Sequence, residues 1–121
     1  MSHYRKDIGR LGEQIATSYL QDLGYLVIDR NFTTHWGELD IIARKGKCIY
    51  FVEVKTKVTD KKGKPYEAVT YRKLQTLKRV INLYLLKNDF KTYKLALSVL
   101  SIELHEDKTI KEIKFFESVD F

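Results

Sequence analysis

A chain of 121 residues with 44% hydrophobic and 31% charged residues has room for one domain with a real core, and none for a second. Its net charge of +6 favours a polyanionic partner, most simply nucleic acid, and it is uneven: residues 1–94 carry 19 Lys and Arg against 10 Asp and Glu, residues 95–121 carry 3 against 6. The single Cys48 excludes an intrachain disulfide and a zinc quartet, no apolar run approaches a membrane span, and MSHYRKDIGR lacks the apolar segment of a secretory leader, which points to the cytoplasm.

In the first segment Ile8, Leu11, Ile15, Tyr19 and Leu23 recur at three- and four-residue steps, which predicts an amphipathic helix over Ile8 to Leu23 closed by Gly24. Gly12 falls on its apolar face, where the missing Cβ allows a strand to come close. Glu13 lies at the flank of that face and reads, on helix geometry alone, as a solvated carboxylate. Arg10, one turn earlier, can contact a phosphate or sit in water. Tyr25 to Asn31 predicts a short strand, and Phe32 to Trp36 a connection. Phe32 and Trp36 read first as core anchors, with stacking on unpaired bases as the alternative. His35 reads as a polar surface residue outside any site.

The segment GELDIIARKGKCIYFVEVKT, from Gly37 to Thr56, predicts a β-hairpin with strands Glu38 to Arg44 and Cys48 to Thr56. With Gly46-Lys47 as a two-residue type II′ turn, Lys45 pairs with Cys48, Asp40 with Glu53, and Glu38 with Lys55. Strict alternation places Glu38, Asp40, Ile42 and Arg44 together on one face of the first strand, and Ile49, Phe51, Glu53 and Lys55 together on one face of the second. Ile41, Ile42, Phe51, Val52 and Val54 make both strands apolar on both faces, as central strands are. Two carboxylates facing each other at about 4.5–5.5 Å in such a place repel unless something offsets their charge. A divalent cation such as Mg²⁺ or Mn²⁺ held by Asp40 and Glu53 does so, with Lys55 placed to orient a water or balance developing charge.

Residues 57–64 read as a mobile basic loop in which Lys57, Lys61, Lys62 and Lys64 can each neutralise a phosphate. Pro65 suits a first helical turn, and Thr70 can cap a longer helix from Tyr71 to Asn88 with Leu74, Leu77, Ile81 and Leu85 as its buried stripe. Arg72, Lys73 and Arg79 lie off that stripe and extend the basic surface. Strands are predicted over Lys94 to Glu103 and, at an edge, over Ile110 to Phe116, with a turn at His105 to Lys108 between them. The order is α-β-β-β-α-β-β in one domain, residues 1–121.

An Asp on one strand followed by Glu-x-Lys on the next resembles the PD-(D/E)xK signature of the restriction-endonuclease-like nuclease superfamily. More narrowly, GELDIIARKGKCIYFVEVKTK, with GRLGEQIATSYLQDLGY before it and PYEAVTYRKLQTLKR after it, resembles the uncharacterised YraN-like family, which is similar to archaeal Holliday-junction resolvases. The resemblance implies an α/β, restriction-endonuclease-like core: a central mixed β-sheet flanked by helices. It also implies a metal-dependent endonuclease acting on DNA, branched or structured DNA included, and a homodimer for paired cuts. By the same resemblance Glu13 becomes a metal-site acid, direct or through water, the Val54 carbonyl a further ligand, and Lys73 and Gln75 polar contacts near the site. Two departures stand out: Leu39 precedes Asp40 where the signature has Pro, and Ala96 stands where the family often carries an Asp. The second leaves open a nuclease-like module that binds nucleic acid or protein without turnover. An RNA-directed relative is a third option.

Overall fold

The computed structural model describes residues 2–59 and 71–119. Its elements are helix α1 (Ser2–Asp22), strands β1 (Leu26–Thr34), β2 (Gly37–Lys45) and β3 (Cys48–Val58), helix α2 (Tyr71–Lys87), and strands β4 (Lys94–Leu104) and β5 (Ile110–Val119). The strands make one five-stranded sheet in the order β1-β2-β3-β4-β5. Neighbours run antiparallel except β3 and β4, which are parallel. Parallel partners need a long crossover, and α2 lies within it. This is the mixed α/β sheet expected, in the expected order, with β5 at an edge.

Each face of the sheet has its own apolar cluster. On one, Ile8, Ala16 and Leu20 of α1 meet Ile41, Ala43, Tyr50, Val52 and Leu100. On the other, Leu77, Val80, Ile81 and Tyr84 of α2 meet Leu39, Ile42, Ile49, Phe51 and Leu97. The central strands are therefore apolar on both sides because a helix covers each. Cys48 packs half-buried at the margin of the first cluster.

Both helices bury a stripe shifted from the expected one. In α1 the fully buried line is Ile8, Gly12, Ala16 and Leu20, while Leu11, Ile15 and Tyr19 are half-buried and Leu23 is exposed. Small residues carry little hydrophobic signal, but they let the helix sit close to the sheet. A Cβ on Gly12 would stand 1.8 Å from Oγ1 of Thr56 on β3, so the absence of a side chain sets this approach. In α2 the buried line is Leu77, Val80, Ile81 and Tyr84, with Leu74 and Leu85 at its margins.

Helix α1 ends in a left-handed cap. Gly24 has φ of +91°, its N–H bonds the Gln21 carbonyl at 3.0 Å, and the Tyr25 N–H bonds the Leu20 carbonyl at 2.9 Å. The Lys45 ammonium, at the tip of the β2–β3 hairpin, donates to the Leu23 carbonyl at 3.0 Å and lies 4.8 Å above the Tyr25 ring. The hairpin tip is thus tied to the helix end.

Several boundaries differ from expectation. β1 continues through Phe32 to Thr34, where Thr34 pairs with Gly37, so the connection is only His35-Trp36. Phe32 does anchor core, edge-on to Tyr84 with ring centroids 5.0 Å apart. Trp36 does not: it is 51% exposed at the turn. β3 runs to Val58, so Lys57 is a half-buried strand residue paired with Glu103 rather than part of a loop. Lys61, Lys62, Lys64, Pro65 and Thr70 lie outside the described residues.

The Gly12–Thr56 approach predicts that Gly12→Ala lowers stability by about 1–3 kcal/mol, the usual cost of overpacking. Thr56→Ala in the same chain should restore part of it. Urea unfolding of the parent and the two variants measures both effects.

Candidate functional site

The β2–β3 hairpin holds the expected register from its turn inward. Gly46 takes φ of +61° and Lys47 has no positive φ, the type II′ pattern. Lys45 pairs with Cys48, and the ladder continues through Ile41 and Val52. There it stops, so Asp40 and Glu53 are not ladder partners, and neither are Glu38 and Lys55. Alternation of hydrogen-bonded and non-bonded pairs would next join the Val54 N–H to the Leu39 carbonyl. Instead the Val54 N–H donates to Asp40 Oδ2 at 2.7 Å. A side chain has taken the place of a strand, and beyond that point β2 and β3 are no longer laddered.

Strict alternation also fails here. Leu39 belongs to the cluster under α2 together with Ile42, whereas Ile41 lies under α1. The partner strand does the same: Arg30 reaches Glu13 of α1, while Phe32 rests on Tyr84 of α2. Between these residues lies Asn31 with φ of +54°, a left-handed value that Asn tolerates better than most residues. Both strands rotate at this level, so Glu38, Asp40, Ile42 and Arg44 do not share a face. Glu38 and Asp40 turn toward Glu13 instead, and carboxylate oxygens of the three lie within 4.8 Å of one another.

Glu53 completes the group from the other side of Asp40. It is buried, and its Oε1 lies 3.4 Å from the Lys73 ammonium of α2. Its Oε2 is buried with no hydrogen-bond partner among the described residues. Burial pushes the Asp40 carboxyl up to about 7, helped by the charge of Glu53 and, more weakly, of Glu13 and Glu38, while the Val54 N–H opposes the shift. Glu13 is also raised, by burial first and then by Glu38; the Asn31 side chain and Arg30 act against this. The Arg30 guanidinium approaches Glu13 Oε1 to 4.0 Å. Asp40 is therefore the pivot of four acids borne on α1, β2 and β3.

A divalent cation fits this donor set. Hard oxygen ligands converge, their mutual repulsion needs offsetting, and one buried Glu53 oxygen lacks a donor among the described residues. Lys55 lies half-buried on β3 two residues beyond Glu53, and no ion pair within 4 Å joins it to Asp40 or Glu53 among the described residues. Arg10 is exposed one turn before Glu13, and Arg72 and Gln75 are exposed on α2 near Lys73. Two members of the cluster escaped the sequence reading, Glu38 and Asn31. Glu38 had a visible signal, since it stands two residues from Asp40. Asn31 had none beyond its tolerance of positive φ.

The model of the "Uncharacterised protein family UPF0102" matches residues 12–103, from Gly12 on α1 to Glu103 on β4. The chain belongs to this family. A UPF0102 protein of Alkaliphilus oremlandii is 44% identical over 105 residues, covering 85% of this chain and 90% of the relative. One from Clostridium kluyveri is 36% identical over 117 residues, covering 97% and 96%. All four acids and Lys55 fall inside the matched span. Among the described residues, no helix is long and apolar enough to cross a membrane.

The raised Asp40 carboxyl has a consequence for stability. The folded chain holds this proton up to about pH 7, whereas an unfolded Asp releases it near pH 4. Between those values the folded state binds more protons, so this group's contribution to stability falls as pH rises. Asp40→Asn keeps an acceptor for the Val54 N–H and removes the charge. In metal-free buffer it should raise the thermal midpoint at pH 8, on the order of 5 °C or more, and change it little at pH 4. Thermal melts at both pH values check this.

Proposed function

We propose that this UPF0102 protein is a metal-dependent endonuclease that hydrolyses DNA phosphodiester bonds, with branched or otherwise structured DNA as its substrate class. A cytoplasmic homodimer making two symmetry-related cuts is the assembly such a substrate calls for. The observation that carries this reading is the convergence of Glu13, Glu38 and Asp40, with buried Glu53 behind them, where the β2–β3 ladder ends.

Asp40, Glu53, Glu13 and the Val54 carbonyl would hold Mg²⁺ or Mn²⁺, with Glu38 as a further oxygen donor beside Glu13 and Asp40. Bound there, the ion supplies Lewis acidity toward a phosphate. The remaining work falls to side chains of this chain. Val54 holds the Asp40 carboxylate in one orientation through its N–H, and Lys73 does the same for one oxygen of Glu53. Lys55, on the strand that carries Glu53, would orient the attacking water through its amine and set positive charge beside the reacting phosphate. Arg10 on α1, Lys57 on β3, Arg72 and Gln75 on α2, and Lys61, Lys62 and Lys64 of the crossover would engage the flanking sugar-phosphate backbone.

Ala96 favours a second reading, a nucleic-acid- or protein-binding module of the same fold without turnover. In the structure Ala96 packs in the apolar cluster under α1 and pairs with Tyr50, three strand positions, about 10 Å, from the level of Glu53. A carboxylate missing at that depth subtracts little from a site built on Asp40 and Glu53, and the nuclease reading stands first.

Purified protein with Mn²⁺ is expected to cut at least one member of a labelled panel of linear, flapped and four-way DNA. Asp40→Ala, Glu53→Ala and Lys55→Ala should each lower the rate on the order of 100-fold or more. Mn²⁺ should also raise the thermal midpoint of the parent protein and not that of Asp40→Ala. Uncut DNA throughout, with nucleic-acid binding indifferent to Asp40→Ala, selects the binding module instead.

A further inference from the structure

The most unusual exposed side chain lies just before the acids. Trp36 sits in the two-residue turn between β1 and β2 and is 51% exposed, although a tryptophan gains more from burial than any other residue. Nor is it loosely held. Its backbone N–H donates to Thr34 Oγ1 at 3.0 Å, and that hydroxyl donates to the Gly37 carbonyl at 2.9 Å. Gly37 packs against α2, where a Cβ would be in ordinary contact with Thr76 at 3.5 Å and Val80 at 3.7 Å. The Arg79 guanidinium lies 4.2 Å from the centre of the indole, and the His35 ring stands edge-on at 5.2 Å. A rigid turn thus holds a large aromatic ring open to solvent with a planar cation over it.

Beside the ring is a cavity of about 190 Å³ lined by Trp36, Arg72, Gln75, Thr76 and Arg79. Among the described residues it holds two guanidinium groups, an amide and a hydroxyl, and no acid. That lining suits an anionic chain with flat rings, and the volume is below the ~300–1,000 Å³ of drug-sized sites, closer to one ring system. Trp36 stands in the turn two residues before Glu38 and four before Asp40, so its backbone is within about 13 Å of extended chain from both. The helix that lines the cavity also sends Lys73 to Glu53.

We infer that Trp36 and Arg79, with Arg72 and Gln75, form a stacking platform for an unpaired nucleobase, so that the nucleic-acid strand beside the acids is single-stranded there. Resting on the nuclease reading of those acids, the platform narrows the substrate to DNA with an unpaired stretch next to the cut. In a duplex the faces of each base are covered by its neighbours, whereas in a single strand they are open to an aromatic ring or a guanidinium. Arg72 can neutralise the adjoining phosphate, and the Gln75 amide can meet the edge of the base.

The chain has one tryptophan, so its fluorescence reports on this position alone. In EDTA, where no cleavage complicates binding, short oligo(dT) should quench it. A blunt duplex of equal length and an abasic oligomer with the same phosphates should leave it largely unchanged. Trp36→Ala, followed by anisotropy of labelled oligo(dT), should lose about tenfold or more in affinity. Trp36→Phe should retain most of it, and both variants should bind duplex like the parent, with circular dichroism confirming the fold. Equal quenching by all three ligands, or unchanged oligo(dT) affinity in Trp36→Ala, overturns the platform. These assays omit metal and keep Asp40, so they fail independently of the cleavage assay. Metal-dependent cutting without quenching removes the platform alone, and quenching without cutting leaves the platform and removes the nuclease.

Discussion

One hydrogen bond organises this molecule: the Val54 amide given to the Asp40 carboxylate instead of to a strand carbonyl. Ending the β2–β3 ladder there creates a notch in the middle of a sheet rather than at its rim. Everything that makes the notch useful depends on it. Asp40 is oriented, and the rotation of β1 and β2 brings Glu38 round to Glu13. Glu53 approaches from beyond, and the basic first turns of α2 border the opening.

Placing acids in such a notch costs stability. Buried carboxylates repel one another and lose hydration, and a domain of this size has only about 5–15 kcal/mol of net stability to spend. The two apolar clusters supply the offset, one beneath each helix. Gly12 and Ala16 bring α1 near enough to close one of them, and also bring Glu13, on the same helical turn, within reach of Asp40. Tight packing and the acid cluster therefore share a cause. The frustrated part of the chain is confined to a few residues flanked by the two packed clusters.

Much of this was legible in the sequence, because Gly46-Lys47 fixes a turn type and the turn fixes a register. The proximity of Asp40 to Glu53 follows from that, while element order follows from apolar periodicity and the hairpin's central place from strands apolar on both faces. The reading failed where side chains took over backbone roles. Alternation assumes an unbroken ladder, and Asp40 breaks it, so Glu38 looked like a partner for Lys55 when it joins Glu13. The α1 stripe was displaced by a step because Gly12 and Ala16 contribute contact rather than hydrophobicity. Trp36 was expected in the core since its size argues for burial, and only its place in a tight turn under Arg79 keeps it outside. Lys57 looked like loop because charge runs on smoothly from β3.

The Lys45 clamp at the far tip of the hairpin gives this notch a mechanical direction. A pair of strands pinned at one end and unladdered at the other behaves as a clothes-peg: its spring sits at the pinned end, and only the jaws can spread. Widening to admit a bulky guest would then lever about the turn, leaving the cluster beneath α1 in register while the Asp40–Val54 link yields first.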